Sequence, residues 1–254
     1  MKEAQNNGAP RRRRLLLLWI LLAVIAVAAA ATAIYAADYS RAEPLVRELL
    51  EAGTPGVRVE ESAKRLVFLP EDARAGLVFY PGGKVEFTAY VPLMLRLAQR
   101  GILCVLPKMP LNLAVLAPGT AEGIPAQYPF VGFWMIGGHS LGGAMAASYA
   151  AGHTDGWQAL VLLAAYSTAD LSGSGLKVLS IFGTQDGVLN RKKYEKYRLN
   201  LPEDLTEIVI EGGCHAFFGA YGAQKGDGEP TIAREEQWER TAEAIAELAG
   251  LKAP

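Results

Sequence analysis

The stretch that decides the fold is FWMIGGHSLGGAMAA, residues 133–147. Its first part is apolar and typical of a buried strand, and its alanine-rich last part is typical of a helix. Between them lies Gly-His-Ser-Leu-Gly, residues 138–142. Two glycines at this spacing permit a very sharp turn, because side chains there would collide with the neighbouring chain. The order of strand, Gly-x-Ser-x-Gly and helix predicts a nucleophile elbow with Ser140 at its tip.

The predicted elbow places a hydroxyl group where it can react. Ser140 is expected to stand clear at the carboxyl end of the sheet, beside the free amides at the start of the following helix. We expect the backbone amide of Leu141 to stabilise an oxyanion. A serine nucleophile also needs a base that takes its proton and an acid that orients this base.

The chain contains three histidines that are candidates for the base. His139 is locked in the elbow with its side chain expected to point away from Ser140. His153 follows the helix after the elbow, where a surface cap is the expected role. His215 comes after the last predicted strand, at the edge of the sheet where Ser140 lies. We therefore predict that His215 is the base.

The candidate acid is Asp186, which lies in GTQDG, residues 183–187, just past another predicted strand. Simple capping of a turn is the alternative role for this aspartate. The order Ser140, Asp186, His215 along the chain is that of α/β-hydrolases and differs from that of other serine-triad folds. Residues 138–142, 183–186 and 213–215 accordingly resemble the three motif regions of the α/β-hydrolase superfamily.

The resemblance implies a second oxyanion donor in the turn after the third strand of that fold. Here this turn is YPGGK, residues 80–84, and we expect the amide of Gly83 to donate, with Lys84 beside it. Residues 80–85, 107–112 and 215–228 further resemble a bacterial branch related to dienelactone hydrolases, whose members are often membrane-anchored. True dienelactone hydrolases use cysteine as the nucleophile, so their lactone chemistry is not implied for this chain.

Four further residues are candidates for the substrate pocket. Lys108 and Asn112 follow a predicted strand at the same edge of the sheet, where solvated or turn-forming roles are the alternative. Lys84 neighbours the expected oxyanion donor, and Tyr221 lies in the stretch after His215. Residues 166–176 leave no room for a sizeable cap, although residues 113–128 are long enough for a small flap.

Apolar runs and helical patterns alternate from Gly76 onward, which predicts a doubly wound, mostly parallel α/β sheet. The predicted strands are residues 76–80, 102–106, 133–137, 159–165, 177–182 and 207–210, and the predicted helices are residues 86–99, 141–151, 191–197 and 233–249. Upstream, residues 41–53 predict a short amphipathic helix, and residues 56–60 and 64–69 an antiparallel pair of strands.

The N-terminus predicts a membrane segment. Residues 1–14 end in four arginines, and residues 15–37 carry no charge. We expect residues 38–55 to form a linker with a short helix and residues 56–254 to form the hydrolase domain. The uncharged stretch is long enough to span a bilayer once, and the arginines predict a cytoplasmic N-terminus and an extracytoplasmic domain. A cleaved signal peptide and a secreted domain are the alternative, since small residues around 28–33 suit cleavage.

Composition limits the class of function. After the apolar segment and its basic flank are set aside, 20 basic and 25 acidic residues remain, which gives no basic surface for nucleic acid. The two cysteines are too few for a disulfide framework. Cys104 is expected to be buried, and Cys214 is the alternative nucleophile.

These observations together predict a serine hydrolase that acts on a small-molecule carboxylic ester, thioester or lactone and requires no metal or other cofactor. An acyltransferase on the same triad and a non-catalytic, membrane-tethered binding protein remain alternatives. The oligomeric state stays open.

Overall fold

The structure is a computed structural model that describes residues 8–251, in two compact units that divide after Tyr39. The described part of the first unit contains helix α1, Gly8–Ala37. From Arg12 to Ala37 the mean hydropathy reaches 2.7, so this helix is long and apolar enough to cross a membrane. A signal sequence would have the same properties. The first seven residues of the predicted basic segment lie outside the described residues.

The second unit begins at Ser40 and is built on one sheet of eight strands. The strands are β1 Val57–Glu61, β2 Arg65–Pro70, β3 Ala75–Tyr80, β4 Ile102–Pro107, β5 Trp134–His139, β6 Ala159–Leu163, β7 Lys177–Gly183 and β8 Leu205–Ile210. The helices of this unit are α2 Pro44–Ala52, α3 Val91–Gln99, α4 Leu141–Ala151, α5 Arg191–Tyr197 and α6 Arg234–Leu248.

The strand order is β1-β2-β4-β3-β5-β6-β7-β8. Strands β1, β2 and β4 pair antiparallel, and all pairs from β4 to β8 are parallel. The predicted mostly parallel α/β sheet is thereby confirmed. Because parallel strands all end at the same edge, the segments after β3, β5, β7 and β8 lie along one side of the unit.

Helices cover both faces of the sheet. Leu77 and Phe79 of β3 point to the face that Trp238 of α6 covers, whereas Val78 and Tyr80 point to the face that Ala147 of α4 covers. All of these side chains are buried. This two-sided burial explains why the central strands are continuously apolar and do not alternate with polar residues.

Two prolines shift helix boundaries from those predicted. The helical pattern over residues 86–99 divides into a 3₁₀ turn, Phe87–Tyr90, and helix α3, in whose first turn Pro92 lies. Pro44 likewise occupies the start of α2, three residues after the predicted beginning. Proline lacks an N–H donor and fits the first turn, where no helical acceptor is needed.

The segment proposed as a small flap is anchored to the sheet. Residues 113–128 form short 3₁₀ turns, and Ala121 and Ile124 are buried. The hydroxyl of Tyr80 donates to the carbonyl of Pro118 at 2.6 Å and accepts from the amide of Ala121 at 3.0 Å. These contacts fix the segment to the end of β3.

Candidate active site

Ser140 lies directly after β5 in a conformation that side chains rarely adopt. Its φ is 53° and its ψ is −122°, and its amide donates to the carbonyl of Leu163 at 2.9 Å. Such a conformation costs on the order of 1–3 kcal/mol and persists only where the surroundings enforce it. The side chain does not cap helix α4, although Ser140 occupies the N-cap position. The hydroxyl is therefore not used to stabilise the helix.

The glycines on either side of Ser140 allow the elbow to lie against the end of β3. A Cβ atom on Gly138 would lie 2.4 Å from the carbonyl oxygen of Tyr80. A Cβ atom on Gly142 would lie 2.2 Å from the carbonyl oxygens of both Tyr80 and Pro81. Backbone atoms cannot withdraw from such contacts without moving a strand, so both positions require glycine.

The structure brings His215 and Asp186 together. The Nδ1 atom of His215 lies 2.9 Å from Oδ2 and 3.1 Å from Oδ1 of Asp186, and both side chains are buried. Oδ1 of Asp186 also accepts from the amides of Val188 at 2.9 Å and Leu189 at 2.8 Å. A carboxylate held in this way accepts a hydrogen bond from Nδ1–H. In a neutral imidazole this leaves Nε2 as the basic nitrogen.

The basic nitrogen of His215 forms no hydrogen bond with the described residues. Its Nε2 atom is buried and has no hydrogen-bond partner within residues 8–251. An imidazole nitrogen that carries no proton and has no partner can act as a base. This arrangement allows His215 to take a proton from a hydroxyl group that comes within hydrogen-bonding distance of Nε2.

Ser140 and His215 line the same cavity, which has a volume of about 390 Å³. Most of the other walls are apolar, and none is charged: Leu141, Ala144, Met145, Ala164, Ala165, Tyr166, Thr168, Val188, Leu189 and Asn190. Sequence reasoning missed all of these except Leu141. Val188, Leu189 and Asn190 could have been predicted from the sequence, because they closely follow Asp186 and the loop that carries the acid borders the same crevice.

The expected oxyanion donors Gly83 and Leu141 are neighbours. A Cβ atom on Gly83 would lie 2.8 Å from Cδ2 of Leu141. The amide of Gly82 donates to the hydroxyl of Tyr90 at 3.0 Å and is therefore engaged. Among the described residues, the amides of Gly83 and Leu141 have no hydrogen-bond acceptor, so both remain able to bind an oxyanion.

The four candidate pocket residues lie elsewhere in the described part of the chain, outside the walls of this cavity. Lys84 has a φ of 58°, and its amide donates to the carbonyl of Asn112 at 2.8 Å. Lys108 is exposed, with its amide bonded to the carbonyl of Lys64. Tyr221 is buried and donates to Oε1 of Gln224 at 3.0 Å. Contact of these four residues with substrate stays a prediction.

The other histidines have structural partners. His139 is buried with its Nδ1 atom 2.8 Å from the hydroxyl of Tyr90, and its ring centroid lies 4.5 Å from that of His215. Burial, together with the neighbouring His215, moves the pKa of His139 well below its usual value. His153 stacks on Tyr149 with 4.2 Å between ring centroids. Each imidazole is thus engaged in local packing.

The alternative nucleophile Cys214 is held in its thiol form. Its side chain is buried, and burial raises the pKa of the Cys214 thiol to about 12. Because only the thiolate is strongly nucleophilic, this environment makes Cys214 unreactive near neutral pH.

Comparison with known proteins identifies a family that matches this chain. The sequence pattern described as "Alpha/beta hydrolase family" matches residues 76–239, which include the elbow and the Asp186–His215 pair. The chain matches no curated protein.

Solved structures of hydrolases share the fold at low sequence identity. A predicted CIB-like hydrolase from Thermoplasma acidophilum is 17% identical, with a TM-score of 0.55 over 76% of this chain and 100% of the other. Est1E from Butyrivibrio proteoclasticus is 14% identical, with a TM-score of 0.55 over 77% and 99%. Dienelactone hydrolase from Anabaena variabilis is 15% identical, with a TM-score of 0.54 over 76% and 98%. At these identities the likeness concerns the fold alone.

Proposed function

This chain belongs to the alpha/beta hydrolase family, and on that premise we propose that it is a serine hydrolase of carboxylic esters, thioesters or lactones. One observation carries the proposal: Ser140 in its strained conformation borders the same cavity as His215, whose imidazole is paired with the buried carboxylate of Asp186. The fold alone would not support this proposal, because many proteins share a fold but lack the catalytic residues found in others.

The proposed reaction proceeds through an acyl-enzyme. Oγ of Ser140 attacks the carbonyl carbon while Nε2 of His215 takes the hydroxyl proton, and Asp186 stabilises the resulting imidazolium. The amides of Gly83 and Leu141 hold the oxyanion of the tetrahedral intermediate. The intermediate then collapses, and the leaving alkoxide or thiolate receives the proton from His215.

Water completes the reaction in a second half that mirrors the first. Nε2 of His215 takes a proton from a water molecule, which attacks the acyl carbonyl carbon and forms a second tetrahedral intermediate. The bond to Oγ of Ser140 breaks, the proton returns to Oγ, and the carboxylic acid leaves. No redox partner is required, because every step moves only protons and acyl groups.

The cavity supports an uncharged acyl group of modest size. Its volume of about 390 Å³ lies in the lower part of the range usual for small-molecule sites. No arginine or lysine lines it, so a carboxylate on the acyl part would lose its hydration without gaining a partner. We therefore expect neutral aliphatic esters to be turned over better than esters of dicarboxylic acids.

Replacement of the nucleophile tests the proposal directly. Ser140→Ala is expected to lower the turnover of p-nitrophenyl butyrate by about 10⁴-fold or more and to abolish labelling by a fluorophosphonate probe. The matched control is Ser172→Ala, which removes an exposed serine and should retain both properties. Activity that persists in Ser140→Ala, in protein with an unchanged circular dichroism spectrum, would refute the assignment.

The same experiment separates the alternatives. A non-catalytic binding protein would fold but would not react with the probe. An acyltransferase would react with the probe, yet would release acid slowly until a non-water acceptor was added. Labelling that depends on both Ser140 and His215, with rapid release of acid, supports the hydrolase.

Helix α1 supports a further part of the proposal, namely a single-pass membrane anchor with the catalytic unit outside the cytoplasm. The four arginines at residues 11–14 resist translocation, whereas the uncharged helix satisfies its own backbone within a bilayer. Protease added outside spheroplasts should digest the catalytic unit, and the membrane-bound chain should keep its native N-terminus. A soluble protein that starts near Ile34 would instead establish a cleaved signal.

A further inference from the structure

The stretch after His215 contains a carboxylate that has no part in the chemistry proposed above. Asp227 lies 12 residues beyond His215 and is half-buried. Its Oδ1 atom accepts from the amides of His215 at 3.1 Å, Gly187 at 3.2 Å and Gly228 at 3.0 Å. Its Oδ2 atom accepts from the amide of Ala216 at 2.8 Å. One side chain therefore satisfies four backbone donors.

Three of these donors belong to the two loops that must meet for catalysis, and the fourth, Gly228, directly follows Asp227. His215 is the proposed base, and Gly187 directly follows Asp186, the proposed acid. The carboxylate of Asp227 thus joins the backbone of one loop to the backbone of the other. Hydrogen bonds to an ionised acceptor are roughly twice as strong as those between neutral groups, so this link is stiffer than an ordinary turn.

Close packing of glycines reinforces the link. The amide of Gly228 donates to the carbonyl of Gln185 at 3.1 Å, and a Cβ atom on Gly228 would lie 2.2 Å from that same oxygen. A Cβ atom on Gly187 would lie 2.4 Å from the carbonyl oxygen of Gly226. The segment that carries Asp227 therefore lies directly on the acid loop, with no space for side chains between them.

We propose that Asp227 is a positioning residue, which holds the His215 and Asp186 loops at the separation that proton transfer requires. The inference rests on the function proposed above and adds a residue to it. Misplacement of a catalytic group by about 1 Å can cost on the order of 10²-fold in rate, so a clamp on both loops matters although it contacts no substrate.

Asp227 also places a negative charge beside His215. The other titratable groups in this region are Asp186 and His139, which contact the imidazole, and Cys214 and Tyr221, which interact with Asp227. Burial lowers the pKa of His139 and raises those of Cys214 and Tyr221, so these three are neutral near pH 7. Asp186 is then the carboxylate in contact with the imidazole, whereas Asp227 acts on the backbone amides of His215 and Ala216.

The test uses the full-length chain and the variant Asp227→Asn, which keeps the shape but replaces an acceptor oxygen by a donor amide. We expect kcat for p-nitrophenyl butyrate to fall by about 10- to 100-fold while KM changes by less than about 3-fold. Glu229→Gln, which neutralises an exposed carboxylate two residues away, is the control.

A second measurement reads the position of His215 without turnover. The proton between Nδ1 of His215 and Asp186 should give a strongly deshielded ¹H NMR resonance in the wild type, which His215→Gln identifies by its absence. In Asp227→Asn we expect this resonance to shift or broaden beyond detection, with unchanged circular dichroism. A wild-type kcat and an unchanged resonance would overturn the proposal, as would an equal loss in Glu229→Gln.

A third variant covers the case in which Asp227→Asn does not fold. Asp227→Glu keeps the charge but moves the carboxylate by one methylene, so we expect a loss of about 10-fold in kcat and a shifted resonance. Wild-type values of both would overturn the proposal. If the wild type hydrolyses no ester at all, the proposed function fails, and the resonance alone still decides whether Asp227 positions His215.

Discussion

The elbow around Ser140 and the loops that carry Asp186 and His215 reach fixed geometry by different means. In the elbow, glycines bring backbone against backbone at Gly138 and Gly142. In the acid and base loops, carboxylates accept hydrogen bonds from backbone amides: Asp186 from the residues that follow it, and Asp227 from both loops. The elbow is therefore sensitive to added volume, whereas the loops are sensitive to loss of charge and of hydrogen-bond acceptors.

The largest effect is expected from removing the charge that orients the base. Asp186→Asn should lower kcat by about 10⁴-fold, close to 5.5 kcal/mol in the activation barrier, because the amide favours the wrong tautomer of His215. Steady-state kinetics on p-nitrophenyl butyrate provide the measurement, and the exposed Asp170 offers the control Asp170→Asn. A loss below about 10-fold would show that Asp186 only caps its turn.

The next effect tests the volume sensitivity of the elbow. In Gly142→Ala the new methyl group would lie 2.2 Å from two backbone oxygens. Since neither strand nor turn can yield, we expect the free energy of unfolding in urea to fall by about 3 kcal/mol. Gly173→Ala is the control, because a Cβ atom there meets nothing within 4 Å. Equal stability of the two variants would contradict the close packing described above.

A smaller effect is expected where the oxyanion turn meets the elbow. The hydroxyl of Tyr90 accepts from the amide of Gly82 and shares a hydrogen bond with Nδ1 of His139 at 2.8 Å, so it links the two. Tyr90→Phe leaves both groups buried without a partner, which should cost about 2 kcal/mol in the free energy of unfolding. Tyr128→Phe, at a half-buried tyrosine on the opposite face of the sheet, should cost much less. Similar losses in both variants would argue against the link.

The smallest effect concerns pH and again involves His139. Its pKa is lowered in the folded protein, chiefly by burial, so the unfolded chain binds the additional proton once the pH falls below about 6.5. The contribution of His139 to the free energy of unfolding is fully present above that pH. Below it the contribution declines by about 1.4 kcal/mol per pH unit until the pKa of the folded state is reached.

The measurement compares the unfolding free energy of the wild type and His139→Gln between pH 7.5 and 5.5. The variant should lose less stability over this interval, whatever its stability at pH 7.5. Parallel curves would mean that His139 is protonated equally in both states and is not buried as the structure places it.

Local sequence determined much of this protein. The elbow was predictable because its glycines and serine lie within five consecutive residues, and the central strands were predictable because burial on both faces leaves an unbroken apolar run. The order Ser140, Asp186, His215 further indicated a fold in which all three residues share one edge of a parallel sheet. The apolar helix near the N-terminus was predictable from length and charge alone.

Tertiary structure decided the rest. The cavity walls at Met145 and Tyr166 and the carboxylate of Asp227 come from segments that meet only after the sheet has assembled. Asp227 resembles any loop aspartate in the sequence, and the amide donors of Gly187, His215 and Ala216 reach it together only when the loops after β7 and β8 lie side by side. Turns and strands depend on neighbours along the chain, whereas hydrogen bonds between loops depend on where the sheet places their ends.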